Sequence, residues 1–566
     1  MKSILNSNRK IALALAIVLL LGLILRLSGR GWDQGLYLNP DERFLVMTAT
    51  ALKWPNSFSQ YLNPQTSPLN PYNIDVGFFV YGHWPLNLAK GLAIVFQKDN
   101  YTFFYQVARP LTAIIDWSVI LAVFLIARQL FLKHPKHRQI AVFSALAYTL
   151  MVFPLQQAHF FTVDSFVNAC FVWSLYFLLL YKNKLGPIVA SAIFFGLGLG
   201  SKINIVYTLP LLLMIMFFQV SDKRRFLLHS GLFGLVSYLT LRFADPYFFA
   251  SANIINPLPD PRFVQNLKML SNFGKDIFYP PAVQWINSSF TLPLKNLIIY
   301  GLGPGISVLI LIGLIKLIKI YQNLGLLSQR IWFCLIIWVF FFFVWQASQM
   351  GKTMRYFLFM YPLLALFAGM AISYLKKPLR ILLLVPALLW LLSFIHIYSL
   401  PHSRITATNW LNQNLAANSV LVWEYWDDPL PLFQISGKNF RLVPADFYEK
   451  DSLSKWRRLS KLLSKSDYLV LSSNRLWGSI PKVPELYPIT SRYYSLLFEN
   501  KLGYQKIREF NSFPTLDLGF TQFIINDSQG EEAFTVYDHP QVMIFKRQEF
   551  SEAKFLKLLI PKKPSR

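Results

Sequence analysis

The chain has 566 residues, 54% of them hydrophobic, and its mean hydropathy is +0.39. One soluble core cannot bury so much apolar surface, so the composition excludes an ordinary soluble globular protein and indicates a membrane protein. The net charge of +27 does not indicate nucleic-acid binding, because the basic residues concentrate in short loops between apolar runs. Cys170 and Cys334 both lie inside apolar runs, so neither a disulfide framework nor a metal cluster can be built from them.

Long apolar segments recur along the first 400 residues. Their length and the scarcity of charge within them predict about eleven membrane-spanning helices. The fifth and sixth are short and separated only by Ser201 and Lys202, which is typical of a broken pair lining a polar cavity. The predicted spans are 11–27, 104–130, 139–156, 164–181, 186–200, 203–220, 226–243, 297–320, 331–347, 355–375 and 380–399.

Basic residues alternate with these spans in a way that predicts their orientation. If the N-terminus is cytoplasmic, nearly every short inner loop is basic and almost free of acid, as the positive-inside rule requires. This orientation predicts an integral membrane protein with its long loops and its C-terminal region on the outer side. The basic inner loops are 128–138, 182–184, 223–225, 316–330 and 376–380.

Two outer loops, 28–103 and 244–296, are too long to be simple connectors. The first contains an apolar stretch, Val76 to Phe96, that we expect to lie along or dip into the membrane surface. The second is rich in Pro, Asn and aromatic residues.

The composition changes after Leu400. Residues 402–566 alternate strand-like runs, such as 419–423, 468–472 and 542–545, with helical stretches such as 491–500. This pattern predicts a soluble α/β domain following a membrane domain that covers residues 1–400.

Polar residues of chemical interest gather on the predicted outer side. An acidic pair, Asp41 and Glu42, follows the first span by about a dozen residues, so it can stay ionised near a lipid-borne substrate. Asp164 begins the fourth span. Other outer-side residues are His83, His159, Lys202, Lys352 and Arg355.

Four motifs in this order carry a resemblance to a known family. They are Asp41-Glu42, Tyr81-Gly82-His83-Trp84-Pro85-Leu86, His159 to Asp164, and Gly198-Leu199-Gly200-Ser201-Lys202. The set resembles the polyprenyl-phosphate-sugar-dependent glycosyltransferases of the GT-C fold, in the protein O-mannosyltransferase and ArnT-like superfamily (glycosyltransferase family 39-like). The stretches 423–428 and 534–540 are similar to those of bacterial phospholipid-carrier-dependent glycosyltransferases. Many relatives have Pro-Pro-Leu where this chain has Trp84-Pro85-Leu86, so the parallel is weakest at His83.

The resemblance implies a multi-pass membrane enzyme that transfers a monosaccharide from a polyprenyl phosphate to an acceptor. Such a reaction needs a base for the acceptor hydroxyl and positive charge for the departing phosphate. We expect Asp41 to be the base, as the resemblance also implies. Lys202, Arg355 and Lys352 are the candidates for binding phosphate, with Lys202 preferred because the glycines before it leave room for the backbone to approach.

Each assignment has a structural alternative. Glu42 either partners Asp41 or caps and solvates the following helix, and Asp164 is either a second carboxylate or metal ligand or an N-cap. The three cations either bind phosphate or extend to the membrane interface. His83 and His159 either bind a divalent metal with the carboxylates or are hydrogen-bonded structural residues, so metal dependence stays open.

Two other functions fit part of the pattern. A transporter or flippase of lipid-linked glycans would also need cations and a cavity, but its polar residues should cross the full depth of several spans. A polysaccharide polymerase or ligase would use a lipid diphosphate. The acceptor, whether protein, lipid or glycan, is not indicated by the sequence.

Overall fold

The computed structural model describes residues 2–182, 184–220, 222–273 and 276–560. These residues form two compact units. The first comprises the described residues up to Leu270, together with Pro293–Ser348 and Thr353–Leu392. The second comprises Ser271–Leu292, Gln349–Lys352 and the described residues from Ser393 onward.

Helices make up nearly all the regular structure before residue 400. In chain order they are α1 (Lys2–Leu27), α2 (Pro40–Ala51), α3 (Phe58–Leu62), α4 (His83–Val95), α5 (Tyr105–Leu130), α6 (His137–Leu150), α7 (Val152–Gln157), α8 (Val163–Leu179), α9 (Leu185–Leu199), α10 (Leu209–Gln219), α11 (Lys223–Ala244), α12 (Pro261–Phe273), α13 (Pro280–Val283), α14 (Leu292–Asn296), α15 (Pro304–Ile320), α16 (Leu326–Ser348), α17 (Met360–Tyr374) and α18 (Lys377–Ile395).

Several of these helices suit a bilayer. Among the described residues, six helical segments are long and apolar enough to cross a membrane: Arg9–Leu27 of α1, α5, α11, Pro304–Asn323 beginning with α15, α16, and Lys377–Asn414 beginning with α18. Four shorter apolar helical segments accompany them: α8, α9, Ile203–Gln219 and α17. The chain is therefore a helical membrane protein, and the number of about eleven crossings stays a prediction.

Each predicted span contains a helix, and several of the spans join it to a second, shorter helical segment. The predicted span 139–156 is divided at Met151 into α6 and α7. Pro154, early in α7, has no N–H to continue the hydrogen-bond ladder of α6. The predicted span 203–220 begins with a 3₁₀ turn, Ile203–Thr208, before α10.

Buried ion pairs join the first unit's helices. Arg26 of α1 donates to Asp116 of α5 at 2.6 Å, and both side chains are fully buried. The Tyr148 hydroxyl of α6 donates to the other carboxylate oxygen at 2.7 Å. Because an unpaired charge in an apolar interior is very costly, the pair fixes the contact between α1, α5 and α6.

The second unit contains a five-stranded sheet with helices α19 (Ser403–Asn414), α20 (Leu453–Ser464), α21 (Pro488–Phe498), α22 (Glu532–Thr535) and α23 (Glu552–Leu559). The strand order is β2-β1-β3-β7-β4, with β1 parallel to β2 and β3, and β7 antiparallel to β3 and β4. The strands are β1 (Val420–Glu424), β2 (Arg441–Ala445), β3 (Tyr468–Leu471), β4 (Tyr504–Phe510), β5 (Thr515–Asp517), β6 (Gln522–Ile524) and β7 (Val542–Arg547).

Alternating residues of the sheet fill two cores. Val422, Leu469 and Phe545 pack with Trp456 and other residues of α20, α21 and α23. Leu421, Val470 and Ile544, one residue away on the same strands, pack on the opposite face with residues of α19. This period of two is the reason that the short apolar runs of the sequence form strands.

Candidate active site

Asp41 lies in the first turn of α2. The Asn39 side chain caps this helix by accepting hydrogen bonds from the N–H groups of Asp41 (3.0 Å) and Glu42 (3.3 Å). The Asp41 carboxylate forms an ion pair with Arg355 and accepts a hydrogen bond from the Tyr81 hydroxyl at 3.0 Å. About a quarter of each side chain is exposed, 24% of Asp41 and 26% of Arg355. The carboxylate is therefore fixed in place and still accessible to a ligand.

A second ion pair lies near the first. The Lys202 ammonium donates to Asp164 at 2.7 Å, with 17% of the lysine and 4% of the aspartate side chain exposed. The Tyr356 ring centroid lies 5.6 Å from Lys202 Nζ and 5.6 Å from Arg355 Cζ, so it adjoins both cations. We call this group the Asp41 cluster; its members are Asp41, Tyr81, Asp164, Lys202, Arg355 and Tyr356.

The charges of the cluster act on its titratable groups. Burial raises the pKa of Asp41, but the charge and hydrogen bond of Arg355 and the charge of Lys202 outweigh it, so the pKa lies below the ordinary value. Burial, and next the Asp41 carboxylate, raise the pKa of the Tyr81 hydroxyl well above its ordinary value. At neutral pH Asp41 is thus ionised and Tyr81 is a neutral donor.

Two of the sequence motifs meet through their backbones. The Gly82 N–H donates to the Ser201 carbonyl at 2.9 Å, and the Trp84 N–H donates to the Gly200 carbonyl at 3.1 Å. A β-carbon on Gly82 would lie 2.0 Å from the Gly200 carbonyl oxygen, so only glycine fits. This contact places Tyr81 and Lys202, which flank it in the two segments, in the same cluster.

Glu42 faces a different network from Asp41. It is fully buried and receives two hydrogen bonds from the Arg109 guanidinium, each at 2.8 Å, and one from the Phe161 N–H at 2.9 Å. Arg109 also makes two bonds of 2.7 Å to buried Asp33. The structure does not bring Glu42 together with Asp41, because its carboxylate joins α2 to α5.

The structure places the other predicted residues outside the Asp41 cluster. Buried His83 contacts Asp245 through Nδ1 at 2.6 Å, and its own N–H donates to the same carboxylate at 3.1 Å. His159 Nδ1 and Nε2 lie 2.8 Å and 2.9 Å from the carbonyl oxygens of Leu155 and Ser28. The Lys352 ammonium, in the second unit, donates to the Ser288 carbonyl at 2.9 Å and to the Ser288 hydroxyl oxygen at 3.0 Å.

These positions do not fit a metal site. Within the described part of the chain, no three His, Cys, Asp or Glu side chains come together in a group that could hold a metal ion. Asp41 and Asp164 are each paired with a cation, and both histidines are engaged elsewhere. We therefore derive no catalytic step through a metal.

Sequence reasoning missed several of the residues that build the site. Tyr81 lies inside the motif 81–86, yet no sequence pattern indicates its hydroxyl as a partner of Asp41. Asp245 opens the second long loop directly after α11, and its contact with His83 spans 162 residues of sequence. Arg109, a charged residue within the predicted span 104–130, is the signal that could have revealed the Glu42 network, since such residues need buried partners.

Comparison with known proteins agrees with this architecture. Residues 103–247 match the family model described as dolichyl-phosphate-mannose-protein mannosyltransferase. No curated protein sequence matches the chain.

One similar solved structure is the oligosaccharyltransferase AglB from Archaeoglobus fulgidus in complex with an inhibitory peptide and a dolichol-phosphate. The two sequences are 14% identical, the match covers 92% of this chain and 74% of AglB, and the TM-score is 0.51. An oligosaccharyltransferase from Archaeoglobus fulgidus tethered to an acceptor peptide gives a TM-score of 0.52 at 15% identity, covering 85% of this chain and 72% of that one. ArnT from Cupriavidus metallidurans bound to undecaprenyl phosphate is 14% identical and covers 97% of this chain and 99% of that one, with a TM-score of 0.45. The resemblance indicated by the motifs is confirmed at the level of the fold: this chain has the GT-C fold of membrane glycosyltransferases.

Proposed function

We propose that this protein is a membrane glycosyltransferase that transfers a monosaccharide from a polyprenyl phosphate to an acceptor hydroxyl, with inversion at the anomeric carbon. The observation that carries the proposal is the Asp41 cluster, in which a partly exposed, ionised carboxylate lies beside two cations. A base and a phosphate-binding group are the two requirements of this reaction.

The chemistry follows from the positions of these charges. Asp41 takes the proton of the acceptor hydroxyl as its oxygen attacks the anomeric carbon. The bond from that carbon to the phosphate oxygen breaks on the opposite face, which inverts the configuration. Arg355 can bind the departing phosphate with two N–H groups, and Lys202 adds a point charge.

The Asp41–Arg355 pair suggests how the base gains strength. While Arg355 lies against Asp41, the carboxylate has a low pKa and is a weak base. A phosphate bound to Arg355 would share its positive charge, so the pKa of Asp41 would rise and the carboxylate would accept the proton more readily. Donor binding and base activation are thereby coupled.

The remaining assignments are also proposals. From the positive-inside pattern we place the Asp41 cluster and the second unit on the extracytoplasmic side of a bacterial-type plasma membrane. A reporter that is active only in the cytoplasm, fused to the C-terminus, should therefore be silent, and strong activity would reverse the orientation. We assign Glu42 a structural role, and leave Lys352 and the two histidines outside the mechanism.

The decisive experiment incubates the purified protein in lipid nanodiscs with radiolabelled polyprenyl-phosphate monosaccharides and scores sugar release or transfer. Matching lipid-diphosphate donors test the polymerase alternative, and movement of intact donor across proteoliposomes tests the transporter alternative. Asp41→Asn should lower turnover by about a hundredfold or more. The control Asp75→Asn changes an exposed aspartate of the same predicted loop, and its turnover should be unchanged. Near-normal turnover of folded Asp41→Asn would remove Asp41 from the mechanism.

A further inference from the structure

The second unit contains a small hairpin with an unusual surface. Strands β5 and β6 pair antiparallel, with Thr515 opposite Ile524 and Asp517 opposite Gln522. Between them, Gly519 has φ of +79°, as the first position of a two-residue type II′ turn requires. Asp517 accepts hydrogen bonds from the Gly519 N–H at 2.8 Å and the Gln522 side chain at 2.9 Å. The turn is thus a formed structure that presents the next residue, Phe520, at its tip.

Large apolar side chains around this tip are exposed. Phe520 is 87% exposed, Ile524 63% and Phe523 56%, and the neighbouring Leu518 and Ile525 are also exposed. Phe523 and Ile524 are consecutive on a strand, so they project from opposite faces of the hairpin. A two-stranded hairpin gains little stability in water, and one with exposed apolar residues on both faces would tend to aggregate. Such a surface needs an apolar partner.

The position of the hairpin indicates which partner this is. Strand β5 contacts the turn His396–Ser399, which follows α18 directly. Helix α18 is one of the six helices able to cross a membrane. Its apolar residues Val385, Leu388 and Leu392 are 40–45% exposed, as expected of a helix that faces lipid. The hairpin therefore contacts a turn of its own unit that follows, in sequence, a helix able to cross a membrane.

We propose that the 518–525 tip inserts into the interfacial layer of the lipid bilayer and anchors the second unit to the membrane surface. Insertion buries Phe520, Phe523 and Ile524 against acyl chains, which is favourable at about 25 cal/mol per Å² of apolar surface removed from water. This inference depends on the membrane assignment of α18 and not on the transferase activity.

The test uses Phe520→Cys labelled with an environment-sensitive fluorophore in nanodiscs. The native Cys170 and Cys334 are buried, and unmutated protein corrects for any labelling there. Lys501→Cys, at a lysine whose side chain is 62% exposed, serves as the water-facing control. We expect the label at residue 520 to emit at shorter wavelength and to be quenched at least twofold more by nitroxide-bearing lipids than the label at residue 501.

Two results would overturn the proposal. One is quenching of the residue 520 label by aqueous iodide as efficiently as the residue 501 label, with no lipid quenching, because it would place the tip in water. The other is rapid disulfide formation between two Phe520→Cys chains in dilute nanodiscs holding two copies, because it would identify a second copy of the chain as the occupant. Unlabelled Phe520→Ser should keep the melting temperature in detergent, which separates loss of insertion from loss of folding.

Discussion

The carboxylates of the consecutive residues Asp41 and Glu42 enter two separate ion-pair networks. Asp41 pairs with Arg355 and is 24% exposed, whereas Glu42 pairs with Arg109 and is fully buried. Successive residues of an α-helix are rotated by about 100°, so adjacent side chains of α2 face different neighbours. The two neighbouring acids therefore have different roles: Asp41 presents an accessible charge, and Glu42 forms a buried ion pair that joins α2 to α5.

Glu42→Gln should impair stability more than catalysis. The change removes one of the two carboxylate charges that pair with buried Arg109, which keeps its ion pair with Asp33. Because Arg109 stays compensated and the amide keeps part of the hydrogen bonding, we expect a loss of about 1–3 kcal/mol, the cost of weakened charge-assisted hydrogen bonds. The melting temperature in detergent should fall, while the folded fraction keeps near-normal turnover per active molecule. If turnover falls as far as in Asp41→Asn without loss of stability, Glu42 acts in the reaction itself.

Gly82→Ala should disrupt the Asp41 cluster without removing any of its functional groups. The added methyl group would meet the Gly200 carbonyl at 2.0 Å, so the two segments must separate, at a cost of about 1–3 kcal/mol. Tyr81 and Lys202 would then shift, and both donor binding and turnover should decrease. Gly77→Ala is the matched control, since no atom other than those of its chain neighbours lies within 4 Å of the position of its β-carbon. Equal activity of the two variants would show that the contact does not position the site.

These features differ in how far the sequence could predict them. The apolar runs and the period-two strands depend on local pattern, so a helix occurs within each predicted span and β1, β3 and β7 coincide with the strand-like runs, whereas helices such as α3 and α12 were not predicted. The direction in which the Glu42 side chain points depends on where α2 begins and on Arg109, which lies 67 residues later in the sequence. The pairing of Gly82 with Ser201 is likewise a long-range contact. Only the fold brings such residues together, and no local pattern encodes the contact.

The second unit should lose stability at high pH. Burial opposes protonation of His539, but its ring nitrogens contact Asp527 at 2.8 Å and Asp538 at 2.5 Å, and these carboxylates raise its pKa to about 10. A raised folded-state pKa contributes stability that is fully present below the unfolded value near 6.5 and is lost as the pH rises through about 10. Melting temperatures measured from pH 6 to 10.5 should therefore decline toward those of His539→Gln. A constant difference between the two proteins across this range would contradict the charged state of His539.

Lys202→Met should weaken binding of the lipid donor while preserving the apolar stem of the side chain. One ammonium hydrogen contacts Asp164, and an ammonium has three, so Lys202 can bind a phosphate and keep its ion pair. Loss of one charge-assisted contact should cost about 1–3 kcal/mol, or roughly a 5- to 150-fold rise in the dissociation constant. Titration with a polyprenyl-phosphate sugar measures this change.

The same substitution leaves Asp164, which is 4% exposed, without its compensating charge, so folding must be tested separately from binding. The double variant Lys202→Met with Asp164→Asn removes both charges and should recover much of the melting temperature, yet still bind the donor weakly. Lys352→Met is the control at a lysine whose ammonium donates to Ser288 in the second unit, and it should bind the donor normally. If donor affinity is unchanged in Lys202→Met, and weakened instead in Arg355→Lys, the phosphate is bound by Arg355 and Lys202 serves only to neutralise Asp164.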